Sequence, residues 1–124
     1  MAVSLRVNKD IVFMTFSGDV SKQEAIDPRL EASKHHRQGI ARGFLVDVRN
    51  AQIHMSTIEL YDFFTTLQEM FAPGTKHAVV YSPETNDLSD IAFGENVSAN
   101  RGIMLKMFSQ KDEAMTWLSN ENST

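Results

Sequence analysis

The chain contains no cysteine. That absence excludes disulfide scaffolds, thiolate metal sites and cysteine nucleophiles together, and it is compatible with a reducing compartment. Positive charge is not in excess either: 12 Lys plus Arg stand against 16 Asp plus Glu, a formal net charge of −4. Nucleic-acid grooves and anionic membrane surfaces both require a basic face, so no nucleic-acid partner is expected. The apolar runs, such as Ile11–Met14 and Ala78–Tyr81, are far shorter than the roughly 20 residues that span a bilayer, so no membrane insertion is expected. Met1 to Arg6 lack a basic segment leading into an apolar one, and a cytoplasmic location is the expectation. The Asn-x-Ser/Thr triplets at Asn96 and Asn122 are then incidental. There is no Gly-x-Ser-x-Gly elbow and no phosphate-cradling glycine loop around Gly39, Gly43, Gly94 or Gly102. No cofactor is expected.

What is present is the composition of a folded domain, 42% hydrophobic and 23% charged over 124 residues. No repeat or low-complexity stretch divides it, so residues 1–124 read as one domain, with Ser119 to Thr124 as a frayed tail.

Val3, Leu5 and Val7 alternate with polar residues, and Ile11 to Phe16 is apolar on both faces. A short turn at Asn8-Lys9-Asp10 between them predicts an antiparallel hairpin closed off by Gly18-Asp19. Ser21 with Glu24 is a capping box, and Val20 with Ala25 its staple. Asp27-Pro28 predicts a kink or a second start in that helix, and Gly39 its end. Phe44 to Val48 reads as a short buried strand, followed by a loop from Arg49 to Met55. A second capping box, Ser56 with Glu59, opens a helix whose Leu60, Phe63, Phe64, Leu67 and Phe71 recur at helical spacing. Pro73-Gly74 ends it, and Ala78 to Tyr81 is a further strand. Asn86 or Asp87 caps a third helix with Leu88, Ile91, Ala92 and Val97 inward. Ile103 to Phe108 is the last strand, and Ser109 with Asp112 opens a final helix that folds back on the sheet through Ala114, Trp117 and Leu118. The order predicts an α/β fold: an initial hairpin, then alternating strands and helices, in a five-stranded, mixed, mostly parallel sheet with about four helices.

In this order and spacing the sequence resembles the SpoIIAA-like branch of the STAS fold, related in architecture to the lipid-carrying CRAL-TRIO (Sec14-like) domains. The residues carrying the resemblance are Phe16-Ser17-Gly18, Phe44-Leu45-Val46-Asp47-Val48-Arg49, Asn96 to Gly102, and Phe108 with Glu113-Ala114 and Trp117-Leu118. The resemblance implies a non-enzymatic binding or regulatory module. STAS-type anti-sigma-factor antagonists carry a phosphorylatable Ser in an Asp-Ser-Ser-Gly element at the start of a helix. Ser56 and Thr57 fall there in this chain, but Met55 and Ile58 replace the Asp and the Gly, so the phospho-switch is not carried over.

The binding residues expected from this reading are Asp47, Arg49, Asn50, His54, Ser56 and Thr57. Asp47 ends a parallel strand, where open α/β sheets place ligands, or is held by the backbone of the following loop. Ser56 is a polar contact at a helix N-terminus, where the dipole favours negative charge, or an N-cap. A hydrolytic set of Asp47, His54 and Ser56 is the formal enzyme alternative; no catalytic residue is assigned. No metal site is expected: the adjacent His35 and His36 cannot share one side of a helix, and His77 reads as a surface residue. Asp87, Asp90 and Glu95 read as a solvated acidic face. Seven Met and eight Phe point either to a filled core or to an apolar pocket or docking face, with Met55, Met70, Phe93 and Met107 the positions that discriminate. A protein partner is therefore the first expectation, a small apolar ligand or lipid carried in Sec14-like fashion the second, and a homodimer through an apolar helix face or edge strand stays open.

Overall fold

A computed structural model describes residues 2–8, 10–37, 43–71, 75–100 and 104–119. The turn, helix ends, strand start and tail expected at Lys9, Gly39, Pro73-Gly74, Gly102, Ile103 and beyond Ser119 lie outside them, as do the side chains of His35, His36, Leu67, Leu88, Asp90 and Ile91.

Hydrophobic alternation produces the hairpin. β1 (Ala2–Asn8) pairs antiparallel with β2 (Ile11–Ser21), with Val7 opposite Val12 and Leu5 opposite Met14. The Ser21 box then starts α1 (Lys22–Arg37). The Ser21 N–H donates to Glu24 Oε1 at 3.0 Å and the Glu24 N–H to Ser21 Oγ at 3.3 Å. These bonds hold the Glu24 carboxyl below its ordinary range. Pro28 lies inside α1 and gives no second start. Ala25 and Arg29, four apart and bracketing Pro28, are both buried on one face, and that packing outweighs the one backbone bond the proline forgoes. Asp27 instead accepts from Gln23 Nε2 at 2.7 Å.

β3 (Gly43–His54) lies parallel between β2 and β4 (Lys76–Val80), and β5 (Met104–Phe108) closes the order β1-β2-β3-β4-β5. α2 (Thr57–Met70) and α3 (Leu88–Asn100) precede β4 and β5, and α4 (Lys111–Ser119) follows. The fold is thus the five-stranded mixed sheet with four helices that the element order predicts.

Alternation along the strands sorts the core onto the two sheet faces. Val12, Met14, Phe16, Phe44 and Val46 meet α1, α2 and α3, whereas Ile11, Phe13, Leu45, Val80 and Phe108 meet α4. Ala114 and Leu118 are buried under α4, but Trp117 is only half-buried, against Phe108 at 5.7 Å and under Lys76 Nζ at 5.2 Å. α3 turns Val97 and Gly94 inward, and Ala92 is exposed. A Cβ on Gly94 would stand 2.6 Å from Phe64 Cζ, so this residue sets how closely α3 approaches α2. His77 corrects the surface reading. It is buried, stacked on Phe44 at 5.3 Å and edge-on to Phe71 at 4.9 Å, because its strand position falls on the three-helix face.

Candidate functional site

The site begins with an irregularity in β3. Thr15 pairs with Asp47, but Ser17 pairs with Asn50, so β3 carries one residue more than β2 between these points. Such a bulge reverses which residues face which side. Before it Phe44, Val46 and Val48 point to the three-helix face; after it Ala51, Ile53 and Met55 do. β2 stays in step through Gly18, whose φ of 78° a side-chain-bearing residue rarely adopts. Both strands consequently run further than their sequence pattern indicated: β2 passes Gly18-Asp19 to Ser21, and the expected loop from Arg49 is strand as far as His54. β4 pairs β3 only up to Asp47, so the distal β2–β3 ribbon projects beyond the sheet.

Under this ribbon, between the sheet and the helices, is a cavity of about 370 Å³, within the ~300–1,000 Å³ typical of small-molecule sites. Its interior is largely apolar, with Phe16, Leu60, Phe63, Phe64, Leu105 and Met107 in its walls. Gln52, His54, Thr85 and Asp87 line it and are exposed, which marks its mouth at the carboxyl ends of β3 and β4. The β4–α3 connection is held there by Asn86, whose Nδ2 donates to the carbonyls of Val48 at 3.2 Å and Ala51 at 3.0 Å. Asp87 does the capping, accepting from the Ser89 N–H at 2.8 Å.

One charge is enclosed in the wall. Arg29, 6% exposed, donates from Nη1 to the Ala25 carbonyl at 2.9 Å and lies over the Phe63 ring at 4.6 Å. Burial lowers its pKa to about 10, so the guanidinium stays charged at neutral pH. Among the described residues no carboxylate meets it.

Solved structures match this architecture over nearly the whole chain. An anti-sigma factor antagonist from Mycobacterium paratuberculosis superposes with a TM-score of 0.67 at 11% identity, over 96% of this chain and 94% of its own. The Bacillus cell fate determinant SpoIIAA in its phosphorylated form gives 0.57 at 12% identity, over 93% and 97%. The fold is SpoIIAA-like. A Shewanella loihica protein described as having a SpoIIAA-like fold also matches, with a TM-score of 0.57 at 16% identity over 94% of this chain and 92% of its own. The sequence matches no protein-family model and no curated protein.

Within this SpoIIAA-like fold the residues singled out from sequence are distributed rather than gathered. Asp47 faces the α4 side and takes the Arg49 guanidinium, with Oδ2 to Nη2 at 2.8 Å and Oδ1 to Nε at 3.0 Å. Burial pushes its carboxyl up, but the Arg49 side chain and backbone N–H, with the Arg49 and Lys111 charges, outweigh this and hold it below its ordinary range. His54 is seven positions along, roughly 20 Å of strand, and its Nε2 lies 2.8 Å from Asp19 Oδ1. Ser56 caps α2: its Oγ accepts from the Glu59 N–H at 3.2 Å, and its own N–H donates to Glu59 Oε1 at 3.0 Å. Asn50 and Thr57 are exposed. Asp47, His54 and Ser56 each have a different partner and do not converge.

Asp87 and Glu95 are separated as well. Glu95 Oε2 accepts from the Met107 N–H at 3.1 Å and covers the backbone of edge strand β5. Among the described residues no group of three or more His, Asp or Glu could hold a metal. Met55 and Met107 line the cavity, and Met70 and Phe93 pack on the core beside it. The two residues that sequence reasoning missed are Arg29, read only as part of a helix, and Asn86, read as a cap. The signal for Arg29 was its spacing of four from the staple residue Ala25.

Proposed function

We propose that this chain is a non-enzymatic regulatory module that works by docking on a protein partner, of the class that the neighbours described as anti-sigma factor antagonists are named for opposing. The observation that carries the reading is the outer face of the first turns of α2. Ile58 is 75% exposed and Tyr61 45% exposed, one turn apart and directly after the Ser56–Glu59 box. Spending a β-branched apolar residue on solvent at a rigidly capped helix start suits a contact surface rather than a core. Ser56 and Thr57, both exposed beside Ile58, supply a polar rim. Exposed Val3 and Val7 on edge strand β1 support a homodimer as the second partner surface.

The test is capture from lysate with wild-type protein and Ile58→Asp. The substitution leaves both capping bonds in place, so the variant is expected to melt like wild type yet lose a specific protein that wild type retains. Recovery of the same proteins by both would remove the α2 face from the proposal.

A further inference from the structure

We propose that the cavity beneath the β2–β3 ribbon binds an amphipathic monocarboxylate, with its carboxylate on the Arg29 guanidinium and its hydrocarbon tail along Phe16, Phe63, Leu105 and Met107. The site is independent of the docking face on α2 and is tested on the isolated chain.

Arginine presents five N–H donors in a planar fork. In this protein one is used, on the Ala25 carbonyl, and no carboxylate among the described residues meets the rest. A charge that is 6% exposed and meets no carboxylate among the described residues is costly, because burial removes the water that would solvate it. The Phe63 and Phe16 rings, 4.6 and 5.8 Å from the guanidinium carbon, offset only part of that cost. An anion in the cavity would supply the missing charge and acceptors at once, and a carboxylate matches the fork with two parallel bonds.

The rest of the lining selects the remainder of the ligand. Among the described lining residues Arg29 is the one Lys or Arg, and the one carboxylate, Asp87, is at the mouth. A dianion would therefore carry an uncompensated charge into an apolar space, whereas a monoanion is neutralised. The other interior walls offer rings, aliphatic carbons and thioethers, which reward an alkyl chain and leave a polar body unsatisfied.

Isothermal titration of the full chain, stripped of bound amphiphile, with decanoate, decanol and decyl phosphate below their aggregation thresholds tests this. Decanoate is expected to bind at least tenfold more tightly than decanol and more tightly than decyl phosphate. Arg29→Met is expected to abolish the preference for decanoate while decanol binds as before. In wild type the Arg29 Nε–H resonance should move on addition of decanoate and not of decanol, a change that a purely structural arginine would not show. Should Arg29→Met fail to fold, Arg29→Gln, which keeps a donor for the Ala25 carbonyl, is expected to show the same loss. Equal affinity for decanol, a preference surviving removal of Arg29, or no binding of any of the three would overturn the proposal. Tighter binding of decyl phosphate would overturn the carboxylate and assign the site to phosphate monoesters.

Discussion

Asn86 holds Ala51 across the mouth of the cavity, its amide donating to the Ala51 carbonyl at 3.0 Å and to that of Val48 at 3.2 Å. These two carbonyls flank the bulge at which β3 changes faces, where the regular ladder leaves acceptors without strand partners. The Asn86 Oδ1 accepts in turn from the Ser82 N–H at 2.8 Å, so one side chain ties β3 to the β4–α3 connection.

Replacing Asn86 with Ala is expected to lower stability by about 1–3 kcal/mol, since half-buried acceptors lose their donors. Asn86→Asp should cost at least as much, because it keeps an acceptor for Ser82 but turns a carboxylate toward two carbonyls. Urea unfolding of both variants checks this. An aspartate variant as stable as wild type would show that the bulge does not depend on Asn86.

Ser56 acts on α2 through its hydroxyl and its backbone N–H, and only the former is lost on substitution. Ser56→Ala is expected to cost about 1 kcal/mol, and Ser56→Asp almost nothing, since aspartate caps equally well and its charge suits the helix dipole. Thermal melts of the two variants provide the comparison. Finding Ser56→Asp as destabilising as Ser56→Ala would place the hydroxyl in a role other than capping.

The Asp47–Arg49 pair predicts a response to acid. With its folded pKa depressed, Asp47 contributes stability that is present above the ordinary carboxylate range and is lost as pH falls through the depressed value. Arg49→Gln removes the main opposing influence to burial, so the variant lacks that contribution at neutral pH and loses less stability than wild type as pH falls. Melting temperatures should differ at neutral pH and converge down the acid range. Coincident profiles would mean that the half-buried arginine, 40% accessible on its side chain, contributes nothing measurable.

Arg29 predicts a stability change of opposite sign to that of an ordinary core truncation. Removing a buried charge that meets no carboxylate among the described residues and replacing it with methionine is expected to stabilise the protein by about 1–3 kcal/mol. Burial lowers the arginine from its ordinary range to about 10, so above that value and up to the ordinary range the unfolded chain binds more protons and wild-type stability gains as pH rises. The advantage of Arg29→Met should accordingly shrink through that window. Denaturant midpoints at neutral and alkaline pH measure it, and a variant less stable at neutral pH would show that the guanidinium's ring contacts outweigh its desolvation.

Local signals determined most of the architecture. The capping boxes at Ser21 and Ser56 are closed by residues three positions away, so their geometry needs nothing from the rest of the chain. The hairpin and the α4 return through Ala114 and Leu118 likewise follow from periods of two and of three to four. Tertiary structure decided the remainder. The bulge after Asp47 broke the period on which strand recognition rests, so Arg49 to His54 read as loop, and the ribbon that roofs the cavity was invisible. His77 and Arg29 are polar residues in apolar surroundings, where burial depends on neighbours distant in sequence: Phe44 and Phe71 for one, Phe63 and Phe16 for the other. Asp47 and His54 looked adjacent along the chain, but extended strand separates them by about 3.3 Å per residue. Residue spacing sets helix faces and caps through local geometry, whereas a cavity is enclosed by elements that meet only when the sheet is assembled.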